Sequence, residues 1–127
     1  MSLPRLLSTA LDARTDLLSK LHSEETDSYR LFHGTAEGQP GLTIDRYGDL
    51  LLVQTFHQSL APDELTAIEV FYANAFPTLT PIYNDRSQKN SRIRNALPAE
   101  RQMAASQPHI ARELGVRYQV QARHDGQ

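Results

Sequence analysis

The stretch YRLFHGTAEGQPGLTIDRYGD, residues 29–49, decides the fold. Tyr29–His33 reads as a strand, and glycines at 34, 38 and 41 punctuate the residues after it. Pro40-Gly41 suits the two central positions of a type II turn, because proline presets φ and glycine accepts a positive one. Leu42, Ile44 and Arg46 then alternate with their neighbours as a second strand. Tyr47-Gly48-Asp49 forms a hairpin connection, and Leu50–Phe56 is a third strand, apolar enough to lie inside a sheet. The first half of the chain is therefore expected to be an antiparallel meander.

Outward from this core, residues 3–21 predict one amphipathic helix. Leu3, Leu6, Leu7, Ala10, Leu11, Leu17, Leu18 and Leu21 share a stripe at helical spacing. Arg14 falls inside that stripe, where it must snorkel or find a carboxylate. The polar residues 22–28 read as a connector. Downstream, Pro62 with Asp63 and Glu64 marks a helix start, and the apolar stripe runs over 62–76 until Pro77. Short strands are expected at 81–86, 110–114 and 117–123, the last two around Gly115. Residues 87–107 lack usable periodicity, and the tail His124–Gln127 reads as a turn. The fold class is α+β: a small, mainly antiparallel sheet of about five or six strands with two main helices, 3–21 and 62–76, in a single domain covering 1–127.

Composition narrows the function classes. A chain of 127 residues with 39% hydrophobic and 22% charged residues suits one soluble globular domain. It contains no cysteine, which excludes disulfides, thiol nucleophiles and cysteine zinc sites and fits a reducing cytoplasm. No apolar run is long enough to span a membrane. The five histidines are scattered without metal-binding spacing, and there is no G-x-S-x-G elbow. The early glycines do not fit a phosphate loop, because a strand rather than a helix comes after them. Asp45, Asp49 and Asp85 are readable as acid/base groups, but turn capping and ion pairing explain them more simply.

The most pointed feature is a basic stretch. Arg86, Lys89, Arg92, Arg94 and Arg101, against the single acid Glu100, give a local +4 in a chain whose net charge is −2. Arg92 and Arg94 flank Ile93, so an extended backbone points them to one face. Guanidinium forks suit phosphate, and Tyr83 is near enough in sequence to stack on a base. A solvated loop is the simpler alternative.

The motif over 29–49 closely resembles the middle domain of class I SAM-dependent large-subunit rRNA methyltransferases. That family runs an aromatic–Arg strand through a Gly/Pro-Gly turn into a Leu-Thr-Ile-Asp-Arg-Tyr-Gly hairpin. Ile82-Tyr83-Asn84-Asp85-Arg86-Ser87 is similar to its Tyr-Asp-Arg-Ser strand with one extra residue. Glu113-Leu114-Gly115 with Tyr118 and Val120 looks like the strands before its catalytic domain. The resemblance covers roughly residues 29–127.

It implies an accessory domain, cut before a Rossmann-like catalytic domain, in a parent that transfers a methyl group from S-adenosylmethionine (SAM) to rRNA, in the manner of the cytosine-C5 enzymes. The implied partners are that downstream domain and RNA. No catalytic, cofactor-binding or metal residue is expected in this chain, since a SAM site needs a glycine-rich strand–loop–helix unit and the sequence contains none. Arg86, Lys89, Arg92, Arg94 and Arg101 are the RNA-contact candidates. Where many members carry a small RNA-binding barrel, this chain carries the leucine-rich helix. The alternative function is an interaction module, a homodimer through a leucine stripe larger than the sheet can cover.

Overall fold

A computed structural model describes residues 2–124. The chain runs α1 (Leu3–Ala13), α2 (Thr15–Ser23), β1 (Ser28–His33), a one-turn α3 (Gly34–Glu37), β2 (Leu42–Tyr47), β3 (Leu50–Thr55), α4 (Pro62–Ala75) and β4 (Thr80–Asp85). A short 3-10 turn at Lys89–Ser91 precedes α5 (Ala99–Ser106), β5 (His109–Glu113) and β6 (Val116–Val120). Strands β1–β4 form one sheet in chain order, and β5–β6 form a separate hairpin. The fold is α+β with a small, mostly antiparallel sheet. The meander β1–β2–β3 is antiparallel as the sequence predicts. Pro40-Gly41 makes its turn, with Gly41 at φ +86° and the Leu42 N–H donating to the Gln39 carbonyl.

Strand β4 departs from the meander. It lies parallel to β3 and is reached through α4, so a strand–helix–strand unit does exist in this chain. The connection from β3 into α4, residues 56–61, contains no glycine. Pro62 starts the helix, and the Glu64 carboxylate reaches back to the Ala61 N–H at 2.8 Å.

Strand β3 is buried on both faces, and the core divides across it. Leu51 and Val53 face α1, α2 and α4, where they meet Leu7, Ala10, Leu18, Ile68 and Tyr72. Leu50 and Ile82 face the other way, against Ala105 and Ala122. A bulge in β1 between Arg30 and Phe32 lets two consecutive residues, Leu31 and Phe32, both enter the first core.

The long N-terminal helix expected over 3–21 is broken in two at Arg14. There the backbone N–H turns to Leu11 rather than Ala10, and the Arg14 guanidinium takes the abandoned Ala10 carbonyl at 2.9 Å. The same side chain makes a forked ion pair with Glu37 at 2.6 and 2.7 Å and donates to the β1 carbonyl of Arg30. The expected carboxylate partner is present, and its pull explains the break. Beyond the break the stripe loses phase: Leu18 is buried but Leu17 is 54% exposed. The remaining leucines pack on the sheet, so the stripe is largely consumed inside the fold.

The β5–β6 hairpin turns at Leu114-Gly115, both at positive φ, as a type I′ turn requires. It is pinned to the entrance of β1. The Leu114 N–H donates to Thr26, the Arg112 N–H to Asp27, and the Tyr118 hydroxyl to Ser28. Its other end lies over the β2–β3 turn. A Cβ on Gly48 would stand 2.1 Å from the Ile110 carbonyl oxygen, and Gly48 has φ +62°. Gly115, at φ +80°, would meet only the flexible Glu25 carboxylate at 3.2 Å. Gly48→Ala should therefore destabilise the chain clearly more than Gly115→Ala, whose cost is the roughly 1 kcal/mol of a forced left-handed residue. Urea unfolding of the two variants in parallel measures the difference, and equal losses would contradict the close approach.

Candidate nucleic-acid interface

The carboxyl ends of the parallel pair β3 and β4 carry a polar cluster centred on Asp85. This buried carboxylate accepts from Ser59 and Thr55 through their hydroxyls and from the Ser87 N–H at 3.0 Å. Arg94 approaches it at 3.7 Å. Burial works against the Asp85 charge, but the hydrogen bonds from Ser59 and Ser87 and the Arg94 charge outweigh it, so its pKa is lowered. Ligands of open α/β sheets bind at this end of parallel strands.

The chain leaving β4 then builds a groove of about 520 Å³, lined by Arg86, Gln88 and the residues from Asn90 to Arg94. Asn90 and Ser91 are both left-handed, at φ +66° and +54°, and they turn the loop back on itself. Arg86 closes the turn, donating to Gln54 at 2.6 Å and to the Ser91 carbonyl at 3.0 Å. Arg94 is 48% exposed despite its long ion pair with Asp85. Arg92 is exposed and makes no side-chain hydrogen bond or ion pair among the described residues. Lys89 is exposed on the 3-10 turn, outside the groove lining.

Arg101 is placed elsewhere. From α5 it donates to the Pro81 carbonyl and pairs with Glu69 at 3.0 Å. Tyr83 is also turned away from the groove. Its hydroxyl bonds Thr55 at 2.7 Å and receives the Leu60 N–H, while the ring packs on the first core. It is not a stacking platform.

Two residues that the sequence does not single out shape the site. The Asn95 side chain accepts from the Asp85 N–H at 2.8 Å and donates to the Tyr83 carbonyl at 2.9 Å. Arg123 donates to Asn84, Asn95 and the Tyr83 carbonyl. Burial, and then the nearby Arg86 charge, lower the Arg123 pKa. No local pattern marks either residue, because their partners come from distant parts of the chain.

The other titratable candidates serve the fold. Asp45 is buried beside Arg30 at 2.8 Å, and Asp49 holds His109 at 2.7 Å. Among the described residues no group of three or more acidic or histidine side chains could hold a metal ion, and no helix is long and apolar enough to cross a membrane. The β3–α4 junction does not fit SAM. Its hollow measures about 90 Å³, has no glycine in the connecting loop, and presents Glu64 where a carboxylate ligand would need donors.

No family model matches the chain. Over 70 residues, 54% of the chain, it is 34% identical to a ribosomal RNA large subunit methyltransferase of Deinococcus radiodurans. Over 31 residues it is 52% identical to ribosomal RNA large subunit methyltransferase I of Erwinia tasmaniensis. These matches span 17% and 8% of the two relatives' lengths. Among solved structures, 94% of the chain superposes with a TM-score of 0.63 and 22% identity on a protein described as a methyltransferase in complex with SAH, and equally on one described as a SAM-dependent methyltransferase of Streptococcus mutans. In each the match occupies 30% of the solved chain. The fold is thus shared with a minor part of larger proteins.

The lowered Asp85 pKa sets an acid sensitivity. A carboxylate whose folded pKa is depressed stabilises the fold at pH above its unfolded value, and that stability is lost as pH falls through the folded one. Glu37 behaves alike, mainly through its hydrogen bond from Arg14. The unfolding free energy should therefore decline as pH drops below about 4. Asp85→Asn should flatten part of that decline and Glu37→Gln a further part. Urea titrations between neutral pH and about pH 2 measure it, and an unchanged slope in Asp85→Asn would refute the assignment.

Proposed function

We propose that this chain is a substrate-positioning domain of a SAM-dependent rRNA methyltransferase and leaves methyl transfer to a separate Rossmann-like domain of the same protein. The observation that carries the reading is the pattern of likeness. Its curated relatives are rRNA methyltransferases, yet the likeness is confined to a small share of each. The poor fit of the β3–α4 junction to SAM favours the same division of labour. Restriction to cytosine C5 and a cytoplasmic site of action belong to this proposal, as does RNA contact through Arg86, Lys89, Arg92 and Arg94, whereas Arg101 is taken up by the Pro81 carbonyl and Glu69. SAM would be the cofactor of the partner domain, and no step of its chemistry falls on residues of this chain.

The test uses the longer gene product that the reading requires. With labelled SAM and large-subunit rRNA lacking the modification, it should transfer methyl groups. A variant lacking residues 29–124 should still bind SAM but lose most transfer. Undiminished transfer without the domain would overturn the reading, as would a reading frame with no glycine-rich strand–loop–helix unit outside this chain.

A further inference from the structure

We propose that the groove between Arg86 and Arg94 seats a phosphodiester of single-stranded RNA, with Arg92 and Arg94 donating to the phosphate oxygens and Arg86 holding the loop that presents them. That the polyanion is RNA rests on the function proposed above; the anion seat itself rests on geometry.

Three guanidinium groups border one concave surface. Among the described residues the carboxylate beside them is Asp85, which is buried and already accepts from Ser59, Thr55 and the Ser87 N–H. It offsets one of the three charges, that of Arg94 at 3.7 Å, and leaves the groove positive. Arg86 commits two donors to Gln54 and the Ser91 carbonyl, which makes it the wall of the seat. Arg92 has no partner among the described residues, and Arg94 keeps the outer edge of its fork open. Forked guanidinium donors on one concave surface suit the oxygens of a phosphate.

The lining also says what is not read. It contains no aromatic side chain, and Tyr83 is committed to Thr55 and Leu60. No aromatic ring offers a base a platform and the guanidinium forks suit phosphate, so the groove holds backbone and fixes register without sequence preference. Arg101 and Arg123 stand outside this role, since their donors close the edge of β4. Asp85 acts through Arg94 and the loop and is a positioning residue.

The experiment titrates the chain with oligo-U and oligo-A across a range of salt, and with inorganic phosphate alone, following backbone amides by NMR. The expected result is the same affinity for both oligomers, with shifts centred on residues 86–94. In Arg92→Gln/Arg94→Gln the log–log salt dependence should flatten by about 0.7 for each phosphate that is no longer neutralised. The control Arg5→Gln/Arg117→Gln changes net charge equally at two exposed sites outside the groove and should keep the slope.

Equal slopes in the two double variants would overturn the seat, as would a strong preference for one base. Saturation by inorganic phosphate with no gain from the oligomers would overturn RNA as the ligand and assign the groove to a small phosphate compound. The two proposals fail separately. Methyl transfer that needs the domain but survives Arg92→Gln/Arg94→Gln with unchanged RNA binding removes only the seat. A working seat in a protein that methylates no rRNA removes only the assigned function.

Discussion

An exposed strand edge is the constraint around which the second half of this molecule is organised. Strand β4 closes the sheet, and its outward groups alternate at Pro81, Tyr83 and Asp85. Left bare, such an edge would recruit another strand. Pro81 has no N–H to offer, and its carbonyl takes the Arg101 guanidinium. The Tyr83 carbonyl accepts from Asn95 and Arg123, and the Asp85 N–H donates to Asn95. One asparagine side chain thus stands in for a strand, donating and accepting as a backbone peptide would. Edge β1 is managed alike, through Arg14 on the Arg30 carbonyl and the Asp27 N–H on Arg112.

This closure determines where the chain goes after β4. Asn95 can reach two successive groups of the edge only if residues 86–94 loop out and return within a few ångströms of Asp85. The Arg94 N–H bonding the Asp85 carbonyl at 2.9 Å marks the return. The groove is the space enclosed by that excursion. The same geometry sorts the basic residues. Those with donors on the edge, Arg101 and Arg123, are committed to the fold, whereas the exposed Arg92 and Arg94 keep donors for solvent or ligand.

The parts legible in the sequence are those whose cause is local. Residues 29–56 combine period-two burial with turn chemistry at Pro40-Gly41 and Gly48, so meander and central strand can both be read from the pattern. The 62–76 helix announces itself through Pro62 and its first-turn acids. A single helix over 3–21 is the natural reading of a leucine stripe that continues through Arg14, but the force that breaks it comes from Glu37, 23 residues on. Helix α5 buries only Ala105 and exposes Met103, so it has almost no apolar period to detect. The parallel placement of β4 is equally silent: nothing in Pro81–Arg86 states which neighbour it will take. Of the site, the clustering of charge is legible and its division is not. Which arginine is free depends on carbonyls and carboxylates that only the fold brings near.

That division also reconciles a mildly acidic chain with an anion-binding groove. Net charge acts at long range, where salt screens it beyond about 10 Å at 0.1 M. At the groove the relevant sum is taken over groups within that distance. Among the described residues Arg86, Arg92 and Arg94 line the groove, and the carboxylate paired there is Asp85. A net charge of −2 slows the approach of a polyanion without cancelling the local attraction.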